Sequence, residues 1–374
     1  MKKFMLYLFL ISASCLFLPG CTSHKTGNNH VKICLKLDEP NASQNVSVCT
    51  GIIKDRLITY GIPEENIHFV TKNNTIEIDV DHVDNPERII LLATTPGKLE
   101  FWETYDNETA YPFLSEANKK LAETFKSSDS LFIIGNDTLN KPVKNEKNSV
   151  AKKRDSTKIS LIQRIKDFRI RNEKNLKERF RKENPLFAYL QANIVQKGGK
   201  QELAQGAIVG YCDIKDTTRL NHILFFCRKK YFFPHDMKFF WSYKPQQKGS
   251  TFLELFAIKM TNRDGTPILD GSVIKDAGCD QDKMGGEEVS LTMDEKGTQL
   301  WRLITAENIG KSIAMVLDNY VYTYPIVQSE IPNGRSQITG NFTKEEAEDL
   351  ATILKLHTLP AFTVVSKSIT AEPK

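Results

Sequence analysis

The chain is short of the residues and patterns that most functions require. It has seven cysteines in 374 residues, with no CxxC pair and no Cys/His ligand spacing. That excludes a zinc ribbon or finger and leaves no disulfide framework to read. Cys34 and Cys49 are expected to be core packing residues. Long apolar runs are equally scarce. The only one covers residues 4–18, so the sequence does not read as a polytopic membrane protein. No P-loop, GxSxG or HExxH motif occurs, and His24, His30, His68, His82, His222, His235 and His357 are scattered. No catalytic residue, cofactor site or metal site follows from the residues, and no enzyme is expected. Asp79, Asp81 and Asp84 with His82 read as a solvated acidic turn at a strand end, not as a cation site. With 40% apolar and 26% charged residues, the chain is neither fibrous nor wholly disordered.

What is present begins with the apolar run. Lys2 and Lys3 precede it, and Leu18-Pro19-Gly20-Cys21 follows it. A fifteen-residue run is short for a hydrocarbon core of ~30 Å, and the arrangement resembles the lipobox of bacterial lipoproteins. The resemblance implies a signal peptide over 1–20, cleavage before Cys21, acylation of Cys21 and a lipid-anchored linker over 21–30. Two or more acyl chains hold a protein on a membrane stably, at about 0.8 kcal/mol per buried methylene. The body would then be membrane-anchored and face the periplasm. No acidic residue follows Cys21 directly, which by resemblance to retention signals argues for the outer membrane, and the choice between the two membranes stays open.

Charge is uneven. Residues 141–183 hold 16 Lys and Arg against 6 Asp and Glu, whereas the whole chain carries only +5. This is a basic arm on a mildly acidic body. It reads as a solvated loop and charged helix face, with anionic lipid headgroups as the functional alternative. It contains only two aromatics, Phe168 and Phe180, too few for a base-stacking platform, and no nucleic-acid partner is expected.

Residues 31–108 read as strand, helix, strand, strand, helix, strand. V-K-I-C-L-K-L (31–37) alternates, Val46, Cys49, Ile53, Leu57 and Tyr60 recur at helical spacing up to Gly61, and I-H-F-V (67–70) and T-I-E-I-D-V (75–80) flank Asn73-Asn74. Asn85 and Pro86 open a second helix, and K-L-E-F-W-E-T-Y (98–105) is the fourth strand. The pattern is ferredoxin-like βαββαβ. Residues 109–250 read as a variable insertion containing the basic arm, with a helix over 114–125, a strand over 208–214, a helix over 218–226 and an extended segment over 238–242. Residues 251–366 are regular again. Strands at 252–259, 289–293, 312–317 and 320–327 surround a helix capped by Asp294. Asp318-Asn319 and Asn333-Gly334 make turns, and Thr343 with Glu346 forms a capping box before a last helix. A polar tail over 367–374 closes the chain. The fold class is α+β, a ferredoxin-like subdomain plus a second antiparallel α+β subdomain.

Two stretches carry a family resemblance. I-I-K-D-R-L-I-T-Y-G-I-P-E-E-N-I (52–67), D-N-P-E-R (84–88) and K-L-E-F-W-E-T-Y (98–105) resemble the start of the first periplasmic domain of SecD. N-I-G-K-S-I-A-M-V-L-D-N-Y-V-Y-T-Y-P-I-V-Q-S-E-I-P-N-G-R-S-Q-I-T-G-N-F-T-K-E-E-A (308–347) resembles its distal, head part. Pro185–Lys259, with G-Y-C-D-I-K-D (210–216), is similar to fused SecDF proteins of the Bacteroidetes type. The sequence departs from that pattern in lacking SecD's transmembrane helices and the proton-carrying acid they hold. The LDLxGG signature is also absent, since residues 33–40 read ICLKLDEP. The resemblance therefore implies a stand-alone lipoprotein with a SecD periplasmic body of base and head type. It would be accessory to Sec-dependent translocation, binding exported polypeptide or the translocon without turnover and without proton coupling of its own. The alternative is a repurposed SecD paralogue, a chaperone-like or peptide-binding periplasmic lipoprotein independent of the translocon. No polypeptide-binding residue is assigned from sequence, although strands between Ile313 and Thr339 could supply an exposed edge.

Overall fold

The computed structural model describes residues 27–38, 42–127 and 175–371. The leader, Cys21 and most of the basic arm lie outside the described residues. Two compact units emerge. One is built from residues up to Thr94 together with those from Phe362 onward, the other from Thr95–Ala361. No described helix is long and apolar enough to cross a membrane.

The first unit contains β1 (Asn29–Leu37), α1 (Ala42–Tyr60), β2 (Ile67–Lys72), β3 (Thr75–Val83) and α2 (Pro86–Thr94). Alternation in β1 puts Val31, Ile33, Leu35 and Leu37 on one buried face. Cys49, Ile53 and Leu57 of α1 and Ile89 and Ala93 of α2 are buried with them. α1 stops at Gly61, whose φ of 109° suits only glycine, and Ile62 N–H closes onto the Leu57 carbonyl at 3.0 Å. Asn73 takes a left-handed φ of 53° in the β2–β3 turn, and Asn85 caps α2 through the Arg88 amide at 3.3 Å.

The sheet has the ferredoxin-like order, but its fourth strand is not residues 98–105. The edge position beside β1 is filled from the far end of the chain, by the strand Phe362–Ala371, in the order β17-β1-β3-β2. The expected polar tail is therefore strand as far as Ala371. Its side chains are largely exposed, so the apolar alternation that marks a half-buried strand is weak. Cys34 is also corrected: it points to the opposite face from Val31 and Ile33 and is half-buried, whereas Cys49 is fully buried and its thiol is pushed up to about 11 by burial.

The second unit runs through β4 (Leu99–Thr104), α3 (Asn107–Ser127), α4 (175–183), β5 (Gln191–Ala192), β6 (Ile194–Lys197), β7 (Lys200–Leu203), β8 (Ile208–Asp213), α5 (Thr217–Lys229), β9 (Met237–Ser242) and β10 (Phe252–Lys259). It continues through β11 (Leu269–Asp270), β12 (Ile274–Gln281), β13 (Glu287–Met293), α6 (Glu295–Glu307), β14 (Ile313–Leu317), β15 (Tyr320–Thr323), β16 (Arg335–Phe342) and α7 (Lys344–Lys355). Five strands close on themselves. β4 pairs with β14, β14 with β15, β15 in parallel with β9, β9 with β10, and β10 returns to β4 through Ile258 opposite Thr104 and Lys259 opposite Glu103. Trp102, Phe240, Phe256, Ile258, Ala314, Val316 and Val321 fill the ring.

Closure makes these strands two-sided. Phe101, Ile313, Met315 and Leu317 face outward into a core with α6, α7 and the sheet β12-β13-β16. Leu255, Ala257, Met237 and Trp241 face outward into another core with α3 and α5. That explains why F-L-E-L-F-A-I-K and I-A-M-V-L are near-continuous apolar runs, and why 98–105 belongs here: Leu99 and Phe101 serve one core while Trp102 serves another. Asp318 and Asn319 both adopt positive φ (50° and 70°) in the β14–β15 turn, as a two-residue hairpin needs.

The ring also buries charge. Glu100 accepts the Trp102 indole N–H at 3.1 Å and pairs with Lys98. Lys238 lies over the Phe240 ring at 4.3 Å, and burial pulls its ammonium down, opposed by the attraction of Glu100. Glu254 is 6% exposed, and burial lifts its carboxyl above the usual carboxylate range, against the opposing hydrogen bond from the Tyr324 hydroxyl.

A raised folded-state carboxyl contributes stability below its unfolded pKa and loses it as pH rises through the folded value. Glu254→Gln is therefore expected to melt higher than the parent at neutral pH, with the difference shrinking toward acid pH in thermal melts. A chain stopped after Ala361 retains the second unit but not β17. Amide exchange in β1 and β3 should then become fast while β10 and β14 remain protected.

Candidate functional site

β13 and β16 pair in antiparallel register, with Val289 opposite Ile338 and Leu291 opposite Ser336. Among the described residues β16 has a ladder on one side only, so its outer edge carries backbone groups outside the sheet. Beyond that edge the chain leaves β15, and Pro325 ends the strand expected over 320–327, since it has no N–H to donate. Residues 325–327 instead lie against 310–313: Val327 N–H donates to the Lys311 carbonyl at 2.9 Å, Gly310 N–H to Val327 at 2.8 Å, and Ile313 N–H to Pro325 at 3.2 Å. Thr305 secures the next part of this rim. Its hydroxyl donates to the Trp301 carbonyl at 2.8 Å within α6 and accepts the Ile331 N–H at 3.0 Å. Arg302 pairs with Glu330 beside it.

Between β16 and this pinned rim is an open groove of ≈ 670 Å³, within the range of ligand-sized sites. Trp301, Ile313, Met315 and Ile326 supply apolar lining, and Ser290, Gln337 and Thr339 supply hydrogen-bonding groups. Trp301 is held by a tilted ring contact with Phe101, centroids 5.1 Å apart. Ile326 is 52% exposed, a large apolar side chain available to a ligand. Asp280 and Arg335 are the charged lining residues, one of each sign, and the lining contains no His, Cys or Lys. Beside it, buried Glu288 accepts a hydrogen bond from Gln337 at 2.5 Å, and burial with the nearby Asp282 and Asp280 holds its carboxyl above its usual range. Such a lining can grip apolar and amide groups. It offers no nucleophile with an adjacent base.

The turns and caps read from sequence frame this region. Asp294 accepts the Gly297 N–H at 2.6 Å at the start of α6, and Thr343 and Glu346 form the capping box of α7. The groove residues themselves were not marked in advance. A strand edge was expected between Ile313 and Thr339, and β16 provides one, but the apolar side chains opposite it come from a loop with no periodic signature. At the other candidate cluster, Asp79 and Asp81 of β3 meet His30 of β1, with Nδ1 at 2.6 Å from Asp81 and Nε2 at 3.3 Å from Asp79. His68 of β2 is 3.4 Å from Asp81. These are cross-strand imidazole–carboxylate contacts on one sheet face. Among the described residues no group of three or more His, Cys, Asp or Glu is placed to hold a metal ion.

Residues 257–361 match the family model for the SecDF P1 head subdomain, and every residue lining the groove falls inside that range. Over that range the chain is similar to the head of the SecDF P1 region. It is 29% identical over 326 residues to the SecD translocase subunit of Rhodothermus marinus, covering 86% of this chain and 45% of that protein. It is 42% identical over 115 residues to SecD of Leptotrichia buccalis, covering 30% of this chain and 28% of that one. The chain thus spans at most about half the length of these SecD relatives. A solved SecDF structure, described as a membrane component that enhances protein export, aligns over 90% of this chain and 98% of its own with 16% identity and a TM-score of 0.41.

Thr305→Val keeps the shape but removes the acceptor of a part-buried N–H. The expected cost is about 1–3 kcal/mol, with faster amide exchange at Ile331 than at Ile313, read by hydrogen exchange.

Proposed function

We propose that this chain is a SecD-like accessory of Sec-dependent protein translocation that binds exported polypeptide, or the translocon itself, at the periplasmic face of a membrane. The single observation that carries the reading is the groove along β16. It has a strand edge outside any ladder, an apolar floor and few charges, a combination that accepts extended chains without demanding a sequence. An added strand satisfies the β16 backbone groups, and its side chains meet the exposed Ile326, with Trp301 and Met315 buried beneath the groove. Grip of this kind is reversible and needs no chemical step, so the protein acts as a binding component, not as an enzyme. Acylation of Cys21 supplies the membrane attachment in this reading, and proton coupling belongs to other components.

Placing a carboxylate on the floor tests the groove. Ile326→Asp is expected to weaken binding of a fluorescent, reduced and permanently unfolded polypeptide at least roughly ten-fold by anisotropy, since it both removes apolar burial and desolvates a charge. The far-ultraviolet circular dichroism spectrum should be unchanged, because Ile326 is exposed. Photocrosslinking from the same position in cells identifies what is held. Exported chains or translocon subunits support the proposal, and capture confined to outer-membrane proteins supports a paralogue that works apart from the translocon.

A further inference from the structure

α5 lies in the segment Pro185–Lys259 and takes no part in the groove. Its N-terminal end carries Asp213 and Asp216, and its C-terminal end carries only cations. Arg228, Lys229 and Lys230 are all exposed there, and none is in an ion pair among the described residues. Lys120 of α3 lies nearby, its ammonium 5.5 Å from the Phe232 ring centre, but it is paired with Glu116 at 3.7 Å and adds no net charge. The nearby acid Asp236 is engaged with the Tyr105 hydroxyl, whose ionisation is suppressed by burial first and by that carboxylate second. A helix C-terminus favours Lys and Arg in its last turn, which accounts for Arg228 and Lys229 but for neither Lys230 nor the aromatics among them.

Those aromatics are out of place for a free surface. Phe225 is 59% exposed and Tyr231 is 72% exposed. The Lys229 ammonium sits 4.8 Å from the Phe225 ring centre and that of Lys230 5.8 Å from Phe226. Tyr231 lies two residues past the end of the helix, where the chain reverses. Its φ is +57°, and the flanking bonds, Tyr231 N–H to Arg228 and Phe232 N–H to Cys227 at 2.9 Å, close the turn. Glycine is the default at such a position because it has no Cβ to crowd the backbone. Here the position holds a large aromatic, in a tilted ring contact with His235 with centroids 5.2 Å apart. Local stability would be better served by glycine, so what the residue presents outward offers the better account of it.

Exposed aromatic rings interleaved with single-sign cations are the chemistry of a membrane–water interface: rings enter the headgroup region and cations meet phosphates. We infer that the C-terminal end of α5 is a peripheral docking surface for anionic phospholipid, with Phe225 and Tyr231 entering the interface and Arg228, Lys229 and Lys230 contacting phosphates. An acidic polypeptide would satisfy the cations but leave both rings without a role. Docking here is separate from any acyl anchor, and it would fix which side of the second unit meets the bilayer.

The test uses the full chain, so the apolar leader is common to every sample, with vesicles of phosphatidylcholine with and without phosphatidylglycerol. Hydrogen exchange should slow across 225–235 only with the anionic vesicles, and the protection should fade in high salt. Lys229→Glu with Lys230→Glu is expected to abolish the preference for anionic vesicles, a loss of roughly ten-fold or more for two reversed charges. Tyr231→Gly should weaken vesicle binding while its melting temperature stays at or above the parent's, which separates lost docking from lost folding. Equal exchange at 225–235 with and without anionic vesicles would overturn the inference, as would protection by an acidic polypeptide but not by vesicles.

Discussion

The second unit depends on a single short contact, the return of β10 to β4 through two residue pairs. Without it the strands would form an open sheet with Trp102, Phe240 and Phe256 on a face that has no helix to cover it. With it, the same side chains fill a closed interior, and the outer faces of the ring strands become the floors of two further cores. The groove follows from this. Ile313 and Met315 line it because β14 has turned Ala314 and Val316 inward and has only its other face left for the α6 side. The floor of the groove is the outside of a small barrel whose inside is already full.

The local signals in the sequence were legible where one residue decides one turn. Asn73, Gly61, Asp294, Asp318-Asn319 and the Thr343–Glu346 box all act where their chemistry puts them. Alternation identified β1 and β3, each with one buried and one polar face. Legibility failed where a strand's partner is distant. Residues 98–105 alternate as a half-buried strand does, yet β4 uses both phases, and nothing local distinguishes a polar second face from a second core. The opposite error befell 362–371, an edge strand with most side chains in solvent and little apolar periodicity to betray it. The groove combines both problems, because half of it is a loop whose position is set by carbonyls at 310–313 and a hydroxyl at 305.

Charge tells a consistent story about division of labour. The groove has one cation and one anion in its lining and favours no sign. The end of α5 has cations alone beside exposed rings. A surface proposed to take many chains is best left nearly neutral, since each fixed charge selects against part of what passes. A surface that must find one kind of boundary gains from the reverse, because a bilayer presents the same phosphates everywhere.

The partnership of β1 with β17 also imposes an order of events. Thr363 donates to Asp38 across 325 positions of chain, so β1 is completed by residues made long after it. A polypeptide emerging from its N-terminus has to carry β1 with a bare edge while the rest of the body assembles, and such distant closures are slow. Until then that edge is a template for strangers, and a protein proposed to shepherd unfolded chains would itself need shepherding early in its life.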